Sequence, residues 1–238
     1  MVKRSIDLLL AGIALAAALP LLLVAMLLIW LQDRGAPFHF SIRVGRGGRD
    51  FTMVKLRSMT VDAGSRGGTS TARSDARITA IGHRLRRWKL DELPQFWNVL
   101  IGQMSLVGPR PNMRRGGVDH YTPAEMRLLT VRPGITDLAS IVFADEADIL
   151  DGAVDPDRLY DALIRPWKSR LGLLYVDHGK VGDDLRILVL TGLAIVARPL
   201  ALRGVATILA RWGADDALRS VCLRRQPLPR AASPGLAA

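Results

Sequence analysis

Residues 8–31 read LLLAGIALAAALPLLLVAMLLIWL, 24 consecutive positions without a charge. At about 1.5 Å per residue such a helix would run roughly 36 Å, enough to cross a bilayer core of about 30 Å. A secretory signal carries an apolar core of only about 7–15 residues, so retention of the segment is expected. Pro20 lies in the middle, where it removes a helix hydrogen bond and kinks the chain. Basic residues flank both ends: Lys3 and Arg4 before, then Arg34, Arg43, Arg46 and Arg49 after. Basic flanks stay on the cytoplasmic side, so charge alone gives a single crossing no orientation. Two readings follow: a spanning helix that tolerates its proline, or a helix that bends at Pro20 and returns to the face it entered.

The 238-residue chain as a whole is apolar and basic at once, with 49% hydrophobic residues, 5% aromatics and a formal net charge of +11. Residues 34–90 hold 13 Lys/Arg against 3 Asp, whereas residues 91–238 hold 18 against 17 acids. Nearly all the net charge therefore follows directly on the apolar segment, where lipid headgroups lie, and points to lipid or phosphate as the anionic partner. The single cysteine, Cys222, excludes an intrachain disulfide framework and a cysteine-rich zinc site, and fits a reducing compartment.

Phe38, Phe40, Ile42 and Val44 alternate with polar residues, which predicts a strand. Gly45–Asp50 is a turn, and Phe51–Met59 is the expected returning strand of a hairpin. Residues 62–76, rich in Gly, Ser and Thr, predict a mobile loop. Ile78, Ile81, Leu85 and Trp88 share a helical face ringed by arginines, which suits either a membrane interface or a helix packed on the core. Asp145–Asp161 reads as a solvated acidic region, Ile187–Ala197 as a core or interfacial helix, and the stretch from Gly213 as a disordered tail.

Leu93, Phe96, Trp97, Leu100 and Ile101 carry the spacing of a buried helical face. Asp91 then falls at the N-cap, Glu92 at the first helical position and Pro94 in the first turn. Such a pair is a good helix start, and it is also a carboxylate pair kept ionised by the helix dipole and the arginines upstream. Ionised carboxylates bind Mg²⁺, and one can attack phosphorus as a covalent catalyst. In Ser105–Pro111, Pro109 and Pro111 stiffen the backbone around Arg110, and Gly108 lets it turn, so one guanidinium is presented for bidentate phosphate binding. Arg132-Pro133-Gly134 repeats the device on a second loop.

These motifs together resemble the bacterial sugar transferase family, the monotopic phosphoglycosyl transferases that act on polyprenol phosphate. The matching stretches are Lys3–Asp7, Arg43–Arg46, Lys55–Met59, Arg77–Thr79 with Gly82, Leu90–Gln95, Trp97–Val99, Met104–Pro111 and Arg132–Thr136, in family order over residues 3–200. The resemblance implies that Asp91 attacks the β-phosphorus of a nucleotide diphosphate sugar, and that polyprenol (undecaprenyl) phosphate then takes the phosphosugar. Glu92 would assist as ligand or base, with Mg²⁺ at the Asp91–Glu92 pair. Lys55, Arg57, Arg110 and Arg132 would hold phosphates. The family's anchor is a re-entrant helix broken at a proline, which favours Pro20 as the break.

The expected fold is an α-dominated α+β membrane-associated domain: a re-entrant N-terminal helix (1–33), a transferase domain with a short β-hairpin and interfacial helices (34–212), and a tail (213–238). It would sit on the cytoplasmic face of the inner membrane, with membrane lipids and a second copy of the chain as further partners and no nucleic acid. The sequence departs from the family at Leu19-Pro20, at Thr136–Ser140 and at Ile141–Glu146, where an arginine-bearing element is missing. The competing readings are a non-catalytic lipid-binding scaffold and a membrane-tethered nucleic-acid module using 78–88 and 93–101 as a helix-turn-helix.

Overall fold

In the computed structural model, which describes residues 2–65 and 70–236, the apolar stretch forms one helix, α1 (Val2–Asp33). The expected break at Pro20 is absent, and helical conformation continues through it. Pro20 still lacks the N–H that would close its turn, a cost borne by contacts on both sides. At the first end, Arg4 donates to the carbonyls of Val99 (2.7 Å) and Leu100 (3.1 Å). Lys3 reaches the Val107 carbonyl at 3.1 Å and Asp184 at 2.7 Å. At the other end, Arg57 grips Asp33 with two 2.5 Å hydrogen bonds. Both ends of a helix roughly 48 Å long are therefore fastened to the same body. Asp7, Ala11, Leu22, Ala25 and Ile29 line its buried face, while Leu9, Ile13, Leu23, Val24, Leu27 and Leu31 stay exposed.

β1 (Phe38–Val44) and β2 (Asp50–Leu56) form the expected antiparallel hairpin, with Phe38 opposite Leu56 and Val44 opposite Asp50. The turn needs left-handed backbone at Gly47 and Gly48 (φ 70° and 73°), which glycine adopts without strain. β2 ends three residues before the expected Met59, because Arg57 turns to Asp33 and to the Ala36 carbonyl. Met59 instead bridges Ile78. Phe40 and Ile42 point outward, 60% and 59% exposed, while Ser41 and Arg43 between them are half-buried.

The expected loop 62–76 includes residues 66–69, which lie outside the described residues. Its following part is pinned to the acidic region rather than left apart from it. Ser70 donates its amide to Asp157, and Ser74 donates amide and hydroxyl to Asp151. α2 (Ala80–Arg87) starts at Thr79, whose side chain accepts from the Gly82 amide. Its Leu85 packs with Leu22, Ala25, Ile29 and Leu56 in a small core beneath α1.

α3 (Gln95–Leu100) lies along α1. The expected face is met in part: Leu93, Phe96 and Leu100 pack partly buried against the cores, but Trp97 and Ile101 are about half-exposed and Gln95, Asn98 and Val99 are the buried positions of the helix. Asn98 sets this orientation locally, since its amide accepts from Val54 N–H and donates to the Thr52 carbonyl, fastening α3 to β2. β3 (Ser105–Val107) and β4 (Gly134–Thr136) are parallel neighbours, with Ser105 opposite Gly134 and Val107 opposite Thr136. A Cβ on Gly134 would lie 2.1 Å from the Gly108 nitrogen, so the two loops meet only because both residues are glycine.

The main core lies among α4 (Leu138–Val142), α5 (Glu146–Ile149), α6 (Pro156–Leu163), α7 (Arg165–His178), α8 (Val181–Val196) and α9 (Arg198–Arg211). Ile141, Leu171, Ile187 and Leu209 are almost wholly buried in it. α8 contributes Ile187 to the core and leaves Val189 and Val196 exposed. The expected disordered tail instead carries α10 (Asp216–Leu223), capped by Asp215, and Leu218, Val221 and Cys222 belong to the core. Beyond it, the Pro229 carbonyl accepts from the Trp167 indole.

Candidate active site

Asp91 and Glu92 lie in a 3-10 turn, Leu90–Glu92, not at the cap of α3. Pro94 occupies that cap and offers no side-chain bond. The turn is entered through Lys89 in left-handed conformation (φ 56°), an uncommon geometry for a residue with a side chain. It sends the two carboxylates into the interior, where Asp91 is buried and Glu92 nearly so.

Glu92 is the hub. Arg110 clasps it from the β3 loop at 2.5 and 3.3 Å, and Lys55 on β2 donates to it at 3.2 Å. Burial alone would raise its pKa, but Arg110 and Lys55 hold it well below the usual carboxylate range. Burial raises the pKa of Asp91 instead, with Lys55 opposing and Glu92 reinforcing the shift. Burial lowers that of the Lys55 ammonium. Asp91 Oδ1 is buried with no hydrogen-bond partner among the described residues. One carboxylate of the pair is thus held charged between two cations, while its neighbour keeps an unengaged oxygen.

The β3–β4 register builds this wall, because Arg110 and Asp137 leave the same end of the small sheet. Gly108 donates to the Thr136 carbonyl and Gly134 to that of Pro109, and buried Pro109 and Pro111 bracket Arg110. Arg57 and Arg132 do not join the cluster. Arg57 is spent on Asp33 and the Ala36 carbonyl, and Arg132 donates to the Gly102 carbonyl at 3.0 Å. Pro20 sits in the outer helix.

Several residues outside the expected set belong to the site's surroundings. Arg43, beside Arg110, has its pKa lowered by burial and by Arg110 to about 10. Arg86 bonds the Ser58 hydroxyl and faces Asp91 electrostatically. Glu146 pairs with Lys168, whose ammonium stands 5.2 Å from the Tyr160 ring centre, and both Glu146 and Asp137 act on Arg110. Arg43 belonged to a recognised motif, but its proximity to a basic flank concealed its place. Lys168 carried no signal, since folding alone brings it in from 76 residues beyond Glu92.

The cluster combines two adjacent carboxylates with cations of fixed geometry, a composition suited to binding and transferring phosphoryl groups. Comparison with known proteins agrees. The bacterial sugar transferase family model matches residues 1–198. A UDP-N-acetylgalactosamine-undecaprenyl-phosphate N-acetylgalactosaminephosphotransferase of Aeromonas hydrophila is 41% identical over 152 residues, covering 63% of this chain and 36% of that protein. A UDP-glucose:undecaprenyl-phosphate glucose-1-phosphate transferase of Xanthomonas campestris pv. campestris is 36% identical over 206 residues, 82% of this chain and 39% of the relative. The exopolysaccharide production protein ExoY of Rhizobium meliloti is 36% identical over 157 residues, 59% of this chain and 69% of the relative. Two of these three relatives are thus much longer, and the match spans little more than a third of the Aeromonas and Xanthomonas proteins. By its motifs, its site and this match, the chain belongs to the bacterial sugar transferase family.

Proposed function

We propose that the protein is a phosphoglycosyl transferase that moves a sugar 1-phosphate from a UDP-sugar to undecaprenyl phosphate through an Asp91-bound intermediate, the first membrane step of glycan assembly. The observation that carries this is the unengaged Oδ1 of Asp91 beside a Glu92 locked between Lys55 and Arg110. Attack by Asp91 oxygen on the β-phosphorus forms a carboxyl–phosphate bond and breaks the β-phosphorus bond to the bridging oxygen, which leaves with UMP. An oxygen of undecaprenyl phosphate then attacks the same phosphorus, forms the new diphosphate and returns Asp91 as carboxylate. Lys55 and Arg110 neutralise the entering phosphates, exchanging part of their hold on Glu92 for them.

Mg²⁺ fits the donor set: it is held by one or two carboxylates together with substrate phosphates, and Asp91 offers an unpaired oxygen. Asp91 and Glu92 would hold it, and bound there it would offset diphosphate charge. The membrane setting rests on where apolar residues point. α1 exposes a leucine-rich face, and Phe40, Ile42, Trp88, Trp97 and Ile101 are exposed on elements that pack around it. With both ends of the unbroken α1 fastened to one body, the helix lies along that body and presents its exposed leucine face to the lipid from one, cytoplasmic, side. Lipid lies against the outward-facing elements beside it. α3 turns Trp97 and Ile101 outward and keeps Gln95 and Asn98 inside, the reverse of a base-reading helix.

The test is release of UMP from a panel of UDP-sugars by the detergent-solubilised protein with Mg²⁺ and undecaprenyl phosphate. Release that vanishes in a folded Asp91→Asn variant supports the reading and identifies the sugar. An active Asp91→Asn variant, or a folded wild-type protein silent toward every nucleotide sugar, overturns it.

A further inference from the structure

The carboxamide of Gln95 is wholly buried, yet neither its nitrogen nor its oxygen has a hydrogen-bond partner among the described residues. Leaving an amide unpaired in the interior is destabilising, and an apolar side chain of the same shape would avoid that cost. The neighbouring helix positions show that the fold can satisfy a buried amide here: Asn98, one turn on, uses its side chain on Val54, Thr52 and Gln103.

Gln95 also stands one helical turn from the candidate nucleophile. Leu93 (φ −55°, ψ −37°) and Pro94 (φ −61°, ψ −17°) are helical, so the chain winds without a break from Leu90 into α3. Gln95 therefore follows Asp91 and Glu92 by one turn, the spacing at which helical side chains are neighbours. The other unpaired buried oxygen of this turn is Asp91 Oδ1. Two orphaned polar groups four residues apart, one of them in the carboxylate pair of the candidate site, share one explanation.

We propose that Gln95 is a binding residue for the phosphoryl group that reacts at Asp91: its side-chain N–H donates to a phosphoryl oxygen of the donor and of the Asp91-bound phosphosugar. The proposal rests on the transferase reading and adds to it the group that takes up charge on phosphorus. A neutral amide suits this role, because it stabilises the developing charge without competing with Lys55 and Arg110 for Glu92.

The experiment uses the full chain in detergent and compares wild type with Gln95→Leu and Gln95→Met, reading the melting temperature, the donor KM, kcat, and the burst of UMP released without acceptor. The expected result is a melting temperature equal to or above wild type in both variants, with kcat and burst rate lowered roughly 10–100-fold and a donor KM changed much less. Turnover within twofold of wild type in either folded variant overturns the proposal. Unfolding of both variants overturns it as well, because it assigns Gln95 to the fold. Absence of UMP release in the wild type would instead count against the transferase reading, which separates the two failures.

Discussion

Asp7, in the second turn of α1, accepts the Leu106 amide at 3.1 Å, and its other oxygen accepts the Ser105 hydroxyl at 2.8 Å, all in the interior. Ser105 and Leu106 are in β3, four to five residues before Arg110. At the far end of α1, Asp33 holds Arg57, two residues after Lys55. The outer helix is thus bolted to both backbone segments that present cations to Glu92. Asp7→Ala, which leaves a buried amide and hydroxyl without their acceptor, is expected to cost about 2–4 kcal/mol of stability. Chemical denaturation in a fixed detergent measures this, and a cost below about 0.5 kcal/mol would contradict the coupling.

Arg57 is held by Asp33 and Arg110 by Glu92, so the proposed reaction makes the first a bracing cation and the second a substrate-binding one. Arg110→Ala should lower turnover by about 100-fold, the size of losing one preorganised donor at a developing charge. Arg57→Ala should lower the melting temperature while leaving donor KM within twofold. Steady-state kinetics on both variants decides the matter, and a donor KM raised equally by the two would return Arg57 to the phosphate site.

The meeting of Gly108 and Gly134 leaves no room for a methyl group. A Cβ on Gly108 would lie 2.5 Å from the Arg132 carbonyl, and one on Gly134 2.4 Å from the Gly108 carbonyl. Gly134→Ala is expected to destabilise by about 3 kcal/mol or more, as overpacking against rigid backbone does. Thermal melting checks it, and a variant that melts with wild type would contradict the close approach.

Cys222 reports on the tail. It is fully buried, and burial pushes its thiol from 9.0 up to about 12. The native protein should resist a thiol reagent at pH 8 and yield one reactive group once denatured. The raised value also sets a sign: below pH 9 folded and unfolded chains both keep the proton. Between 9 and about 12 only the unfolded chain loses it, so stability falls as pH rises, by up to about 1.4 kcal/mol per unit. Rapid labelling of the native protein would mean that α10 is not packed as described.

Composition and period made α1, the hairpin and the basic helix legible, and local motifs made Asp91, Glu92 and Arg110 legible as phosphate chemistry, whereas Lys55 came with the family resemblance alone. The orientation of the elements was not. A hydrophobic stripe marks the buried face only where the opposite face meets water, and in α3 and β1 the large apolar residues Trp97, Phe40 and Ile42 point outward. Arg57 and Arg132 share residue type with Arg110 and lie, like it, in matching motifs, and their long-range partners Asp33 and Gly102 set them apart. In the tail, the Ala- and Arg-rich composition masked Leu218, Val221 and Cys222, which recur at helical spacing and close the core.

In the proposed reaction Asp91 carries the phosphosugar between donor and acceptor. Mass spectrometry of the protein, quenched after mixing with UDP-sugar and Mg²⁺ without undecaprenyl phosphate, tests it most directly. The expected result is an adduct of one sugar phosphate on the peptide containing Asp91, lost when the acceptor is added and never formed by Asp91→Asn. Transfer to undecaprenyl phosphate at full rate, with no adduct at any time point, would contradict the account.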